Sequence, residues 1–160
     1  MTLVTFADSY YDSITGSQQS MLPLLTDADA YDAELLLPAP GVLSETAREH
    51  DIPVDIVPYS DELDRPGDEL VSWSPGSVVP VSAALANYHR AVLQALRDRG
   101  TDLLYCNSVK AVLLYGPPAR LLGIPVLWYA RVDTRFPTVD FVASHIADYV
   151  VTISDGTKRR

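Results

Sequence analysis

The stretch that decides the fold begins with the apolar run Leu103-Leu104-Tyr105-Cys106, turns polar at Asn107-Ser108, and ends with a second apolar run, Val126-Leu127-Trp128-Tyr129-Ala130. The segment between the runs suits a helix that ends at Gly123. We expect Gly116-Pro117-Pro118 to break or restart this helix, because two prolines cannot continue it. Strand, helix and strand in this order predict two parallel strands of one sheet.

The same alternation of apolar runs and amphipathic stretches recurs along the chain. It predicts six strands, at residues 3–7, 33–37, 52–57, 103–106, 126–130 and 149–153. Six strands alternating with helices predict an α/β fold with a doubly wound parallel sheet, Rossmann-like, as a single domain over residues 1–160.

The remaining helices are predicted from their apolar stripes. One starts after Ser17, and Pro23 should delay or kink it, because proline is harmless only in a first turn. Another covers residues 42–50. A long helix is capped by Ser82, with a buried stripe of Leu85, Tyr88, Val92, Leu93 and Leu96. We interpret His89, beside that stripe, as a packed histidine. A last stripe comprises Val139, Val142, Ala143 and Ile146.

Residues 59–80 contain several prolines and acidic residues and predict a long surface loop. Such a loop is either a solvated connector or a lid over a cleft, and both interpretations stay open.

Composition excludes several classes of protein. The net charge of −9 makes nucleic acid an unfavourable partner. No apolar run reaches the roughly 18 residues that a membrane span needs, and the N-terminus lacks the basic start of a secretory signal. Cys106 is the single cysteine, and the three histidines share no metal-like spacing. We therefore expect a cytoplasmic protein without a cysteine-based zinc cluster.

Acidic residues comprise 16 Asp and 5 Glu, whereas the bases comprise 10 Arg and only 2 Lys. Excess carboxylate with few lysines favours a protein from a salt-loving organism over a merely acidic mesophilic one. High salt would screen the self-repulsion of such a chain.

Ligands of doubly wound sheets bind outside the carboxyl ends of the strands, near the point where the strand order reverses. After the first strand, Gly16-Ser17 would let the backbone approach a ligand and would offer free N–H groups at a helix start. The pair would equally serve as a turn and cap. The chain has neither G-x-G-x-x-G nor a P-loop motif, which disfavours nicotinamide and P-loop functions.

Polar residues also follow the fourth and fifth strands. Asn107 and Ser108 can cap the next helix, and Lys110 lies in its first turn, where the helix dipole disfavours a cation. An anionic ligand would explain Lys110, and so would plain exposure to solvent. Tyr129 and Arg131 point the same way if the strand continues, and Arg131 could clamp a phosphate or carboxylate. The alternative is a structural pair of Arg131 with Asp133 or Asp140. The predicted substrate-binding set is Gly16, Ser17, Asn107, Ser108, Lys110, Tyr129 and Arg131.

Several of these segments resemble the N-terminal domain of family 4 glycosyltransferases. The matching motifs are Gly16-Ser17-x-x-Ser20-Met21-Leu22, Leu104-Tyr105-Cys106-Asn107-Ser108-x-Lys110-Ala111, Leu121-Leu122-Gly123-Ile124-Pro125 and Ala147-Asp148-Tyr149-Val150-Val151-Thr152. Each motif is loose, but their order and spacing hold over nearly the whole chain.

The resemblance implies the N-terminal half of a GT-B fold. In that family the N-terminal domain mainly holds the acceptor, and a C-terminal domain, absent from this chain, binds the nucleotide-sugar donor. The resemblance further implies that the anomeric configuration is retained, that no metal is required, and that no cofactor is needed besides the nucleotide-sugar co-substrate. The loop that matches Gly16-Ser17 approaches the donor phosphates. The family commonly has a histidine where this chain has Tyr129, a departure that favours Arg131 as the polar group carried over.

The expected function is therefore the acceptor side of a retaining transferase. It would move a sugar from a nucleotide-sugar to a small-molecule, glycan or lipid-linked acceptor, the last at the inner face of the membrane. The 160 residues alone should be inactive. One alternative is a non-catalytic binding module of the same fold, and another is a sugar-nucleotide epimerase-like enzyme. A reading frame that continues past Arg160 into a second α/β domain would favour the transferase.

Overall fold

The computed structural model describes residues 1–27, 29–64, 78–131 and 137–153. These residues form six strands and five α-helices. In chain order they are β1 (Leu3–Ala7), α1 (Gly16–Thr26), β2 (Asp32–Leu37), α2 (Val42–Glu49), β3 (Val54–Ile56), α3 (Val78–Arg99), β4 (Leu103–Cys106), α4 (Val109–Leu121), β5 (Val126–Ala130), α5 (Pro137–Ile146) and β6 (Tyr149–Thr152). None of the described helices is long and apolar enough to cross a membrane.

The six strands form one sheet in the order β3-β2-β1-β4-β5-β6, with every neighbouring pair parallel. This confirms the predicted doubly wound sheet. The order reverses between β1 and β4, where Ala7 pairs with Cys106. Asp8 and Asn107, the next residues along each chain segment, therefore leave the sheet side by side at its carboxyl edge.

Helices cover the sheet on both faces. On one face α3, α4 and α5 pack over β4 and β5, and Tyr88, Val92 and Leu96 of the predicted α3 stripe are buried there. On the other face α1 and α2 pack over β1 and β2, with Met21 and Leu25 buried. The buried side chains of both layers supply the hydrophobic stabilisation of the domain.

The expectation that Gly116-Pro117-Pro118 breaks its helix is wrong, because α4 runs from Val109 to Leu121 without interruption. Pro117 has no N–H to donate to the carbonyl of Leu113, four residues earlier. That carbonyl instead receives a hydrogen bond from Nε2 of His89, at 3.2 Å. A partner on another helix therefore compensates for a bond that proline removes, which also confirms His89 as a packed histidine.

Two other helix starts differ from the predictions. Helix α3 begins at Val78, so Ser82 lies inside it and is not its cap. Pro80 then falls in the first turn, where the missing N–H has no helical partner to lose. Helix α1 starts at Gly16 and continues through Pro23, so the start is not delayed.

The predicted loop over residues 59–80 overlaps the first residues of α3, 78–80. It contains a 3-10 turn, Asp61–Leu63, and Leu63 is fully buried, so this part is anchored to the core. Residues 65–77 lie outside the described residues.

Strand β6 forms one edge of the sheet and is largely exposed on both faces. Tyr149 is 61% exposed, and Val150 and Val151 are also exposed. On one face, α3, α4 and α5 are the covering helices. On the other face, α1 and α2 lie over β1 and β2, away from β6.

Candidate functional site

Asp8 is the centre of a hydrogen-bond network at the carboxyl edge of the sheet. It is fully buried, and its Oδ1 accepts bonds from the backbone N–H groups of Ser9 at 2.7 Å and Tyr10 at 3.2 Å. Its Oδ2 accepts from Nε2 of Gln18 at 2.8 Å and Nδ2 of Asn107 at 2.7 Å. Burial raises the pKa of the Asp8 carboxyl, and the four donated bonds oppose that shift.

Gln18 connects this carboxylate to the start of α1. Its Oε1 accepts bonds from the backbone N–H of Thr15 at 3.1 Å and from the hydroxyl of Ser17 at 2.9 Å. Because Gln18 is fully buried, the first turn of α1 is tied to the end of β1 by a side chain with both ends bound.

Asn107 lies directly after β4 and is 3% exposed. Its amide nitrogen is bound to Asp8, but its Oδ1 has no hydrogen-bond partner among the described residues. The next residue, Ser108, caps α4, since its hydroxyl accepts a bond from the N–H of Ala111 at 3.1 Å. The same hydroxyl lies 3.2 Å from that of Ser9, which links the loops that follow β1 and β4.

Arg131 follows β5 and spans the gap to α1. Its Nη1 donates to the carbonyl oxygen of Gly16 at 3.2 Å and to the hydroxyl of Ser20. The guanidinium carbon lies 4.1 Å from the centre of the Tyr129 ring, a stacked cation–π arrangement. Nε and Nη2 have no partner among the described residues. Asp133, one suggested structural partner, lies outside them.

Tyr105 of β4 lies beneath this group, with its ring 6.1 Å from that of Tyr129. The hydroxyl is buried and lacks a hydrogen-bond partner in the described part of the chain. Burial raises the pKa of Tyr105 to about 12, against the opposing effect of the nearby Arg131 guanidinium. The phenol is therefore neutral at ordinary pH, and its hydroxyl lies beside the Arg131 guanidinium.

Lys110 lies apart from these residues. Its side chain is 7% exposed, and Nζ is 3.7 Å from Oδ1 of Asp64 and 3.4 Å from the hydroxyl of Tyr59. Burial lowers the pKa of the Lys110 ammonium, and Asp64 opposes that shift. The structure thus offers a protein partner for this cation, on the face of the sheet opposite Arg131.

Of the seven predicted site residues, the structure brings six to the carboxyl edge around the first turn of α1. Gly16, Tyr129 and Arg131 form one group. Ser17, Asn107 and Ser108 are joined through Gln18, Asp8 and Ser9 into a second. Their role in binding a substrate stays a prediction. Sequence reasoning missed Asp8 and Gln18; the available signal was an acidic residue directly after β1, at the position that Asn107 takes after β4.

Comparison with known proteins adds a fold relationship. No protein-family model matches the chain, and no curated protein matches it by sequence. Among solved structures, MurG of Acinetobacter baumannii is similar with a TM-score of 0.70 and 15% identity, over 98% of this chain and 42% of MurG. Anabaena HepE in complex with UDP-glucose is similar with a TM-score of 0.69 and 17% identity, over 99% of this chain and 39% of HepE.

A third similar structure is the UDP-N-acetylglucosamine 2-epimerase from Rickettsia bellii. Its TM-score is 0.59 at 13% identity, over 99% of this chain and 40% of the epimerase. The chain therefore has the Rossmann-like fold of a GT-B half-domain, as the sequence resemblance predicted. It spans about two-fifths of the length of the structures that it matches.

Proposed function

We propose that this chain is the acceptor-side half of a retaining glycosyltransferase that moves a sugar from a nucleotide-sugar to a glycan or lipid-linked acceptor. The proposal includes a second domain that binds the donor. A cytoplasmic location, with contact to the membrane only through a lipid-linked acceptor, belongs to the same proposal.

The observation that carries the proposal is the link between Arg131 and the start of α1. Residues separated by more than a hundred positions meet at the carboxyl edge, beside the reversal of strand order between β1 and β4. This is where sheets of this kind bind ligands. The Arg131 cation and the N-terminus of α1 together favour the binding of a negatively charged group.

The chain's own groups suit two different tasks in such a transfer. Nη1 of Arg131 is used by the protein. Nε and Nη2 are buried beside the Tyr105 hydroxyl and have no partner by strict geometry among the described residues. A small movement of the side chain would turn this edge toward a phosphate or carboxylate oxygen. Asn107 presents a neutral acceptor nearby. Stabilisation of a leaving diphosphate is an electrostatic task, and in this proposal most of it falls to the donor-binding domain.

The experiment compares two proteins, the 160-residue chain and the product of the complete natural reading frame. Each is incubated with UDP-glucose or UDP-N-acetylglucosamine, with and without a mixture of glycan and lipid-linked acceptors, and products are followed by NMR. We expect transfer by the complete product and none by the 160-residue chain. Turnover by the short chain, or none by the complete product with any donor and acceptor, would contradict the proposal.

An epimerase is the second candidate, because one of the similar structures is an epimerase. It would change the nucleotide-sugar itself without an acceptor. A new nucleotide-sugar signal in the acceptor-free reaction would favour this candidate. A non-catalytic binding module would bind a glycan and leave every donor unchanged.

A further inference from the structure

The amide of Asn107 is oriented by its neighbour. Oδ2 of Asp8 lies 2.7 Å from one end of this amide, and a carboxylate can only accept hydrogen bonds. All four groups that Asp8 contacts in this network are N–H donors: two backbone amides, Gln18 and Asn107. The NH2 end of Asn107 must therefore face Asp8, and the carbonyl end must face away.

That carbonyl end is an acceptor without a donor. Asn107 is more than nine-tenths buried, and Oδ1 has no partner among the described residues. A buried acceptor without a donor is destabilising, so a donor from a ligand that reaches Oδ1 on binding would be held there. Asn107 lies where the strand order reverses between β1 and β4, because Ala7 and Cys106 pair immediately before Asp8 and Asn107.

The chemistry of the position selects the ligand group. A carbonyl oxygen needs a hydrogen-bond donor, and the buried carboxylate of Asp8 behind it repels anions. A phosphate or carboxylate is therefore disfavoured here, although it suits Arg131. A neutral hydroxyl group of a sugar fits both conditions.

We propose that Asp8 is a positioning residue that holds the Asn107 amide so that Oδ1 accepts a hydrogen bond from a hydroxyl of the bound glycan. This rests on the proposed function in naming a glycan as the ligand. It divides the carboxyl edge into a hydroxyl subsite at Asn107 and an anion subsite at Arg131.

The test uses the isotope-labelled 160-residue chain and the methyl glycosides of glucose, galactose and mannose as probes. Binding is measured from shifts of backbone signals and of the Asn107 side-chain amide. In D8N the oxygen of the new amide must stay toward the backbone N–H groups of Ser9 and Tyr10, which cannot turn. Its NH2 then replaces Oδ2 and faces the NH2 groups of Gln18 and Asn107. Asn107 therefore turns, so that its NH2 points outward in place of Oδ1. We expect D8N to bind the best glycoside about tenfold more weakly, which corresponds to about 1.4 kcal/mol.

Two further variants separate positioning from simple structural damage. The exchange D8N/Q18E/N107D restores NH2-to-carboxylate pairs from residue 8 to both residue 18 and residue 107, with an acceptor facing outward, and should recover binding to within about twofold. N107A should bind as weakly as D8N, and adding D8N to N107A should cause no further loss. D12N, which changes an exposed carboxylate in the same loop, is the matched control and should bind like the original chain.

Unchanged binding by folded D8N, or no recovery in the exchange variant, would overturn the role of Asp8. If D8N does not fold, N107A and the exchange variant still decide, because a normal affinity of N107A also overturns it. Absence of glycoside binding by the original chain overturns the hydroxyl subsite but leaves transfer by the complete protein intact. Conversely, if the complete protein transfers no sugar but glycoside affinity still depends on Asp8, the proposed function fails and the hydroxyl subsite stands.

Discussion

The carbonyl oxygen of Tyr11 lies against Gly41, so closely that a Cβ on Gly41 would be 2.6 Å from it. The same oxygen accepts a hydrogen bond from the N–H of Leu43 at 3.1 Å. The segment between β1 and α1 is thereby held on the first turn of α2. That segment also contains the backbone N–H groups of Ser9 and Tyr10 that bind Asp8. Close packing at Gly41 therefore helps to fix the position of the candidate site.

We expect G41A to lower the free energy of unfolding by about 1–3 kcal/mol, because backbone must move to admit the methyl group. The effect is measured by denaturant unfolding. G16A is the matched control: a Cβ there meets nothing within 4 Å, and alanine is the better helix residue. Equal stability losses in G41A and G16A would contradict the close contact as the cause.

The bond from His89 to Leu113 predicts a stability effect that depends on Pro117. H89L should cost about 1–3 kcal/mol, since the carbonyl of Leu113 then lacks a donor. In a P117A background the restored backbone N–H can serve that carbonyl, so the same H89L change should cost clearly less. A double-mutant cycle from denaturant unfolding measures this coupling. Additive losses would show that His89 stabilises the protein in another way.

The same histidine predicts a dependence on pH. Burial lowers the pKa of His89, so the unfolded chain binds a proton at higher pH than the folded one. Its stabilising contribution is therefore complete above the unfolded pKa of about 6.5 and is lost as the pH falls toward the folded value. The stability difference between the original chain and H89L should narrow from pH 7.5 to pH 5. A difference that is constant or widens would contradict this assignment.

The charge of −9 predicts stability that rises with salt. The range of like-charge repulsion falls from about 30 Å at 0.01 M to about 3 Å at 1 M salt. We expect a higher melting temperature in molar potassium chloride than in dilute buffer. A melting temperature that stays constant or falls would remove the argument for a salt-loving source.

Substitution of Arg131 should reduce transfer activity more than it reduces the stability of the protein. In the complete protein, R131A should reduce transfer about 10- to 100-fold, the equivalent of a charge-assisted hydrogen bond of about 1.5–3 kcal/mol. R131K keeps the charge but not the two-pronged geometry and should recover only part of the rate. R90A removes an exposed arginine of α3 and should have no effect. Equal effects of R131A and R90A would exclude Arg131 from the site.

The order and type of the elements could be predicted because each strand is a short apolar run and each helix has an apolar stripe. The stripe of Tyr88, Val92 and Leu96 is one example that the structure confirms. The helix through Pro117 could not be predicted, because local rules exclude it and the bond from His89 to the freed carbonyl of Leu113 comes from α3. Boundaries near prolines thus depend on tertiary partners that are distant in sequence.

The residues of the candidate site could be predicted only where they directly follow a strand whose end is clear in the sequence. Asn107 and Arg131 follow apolar runs directly, and parallel topology brings such positions to one edge. The pairing of Asp8 with Asn107 spans 99 positions, so no local pattern reports it. The place of Lys110 near a helix N-terminus predicts an anionic partner, and that partner in the structure is Asp64, which is 46 positions away in sequence and which no local pattern indicates.

The exposed edge strand β6 affects the tendency of this chain to self-associate in solution. Tyr149-Val150-Val151-Thr152 carries no charge and no proline. Among the described strands, none pairs with its outer row of N–H and C=O groups, which can act as a template for another strand. In dilute buffer the negative charge of each molecule keeps neighbours apart. Molar salt screens that repulsion, so the conditions predicted to stabilise each molecule should also favour pairing of β6 between molecules.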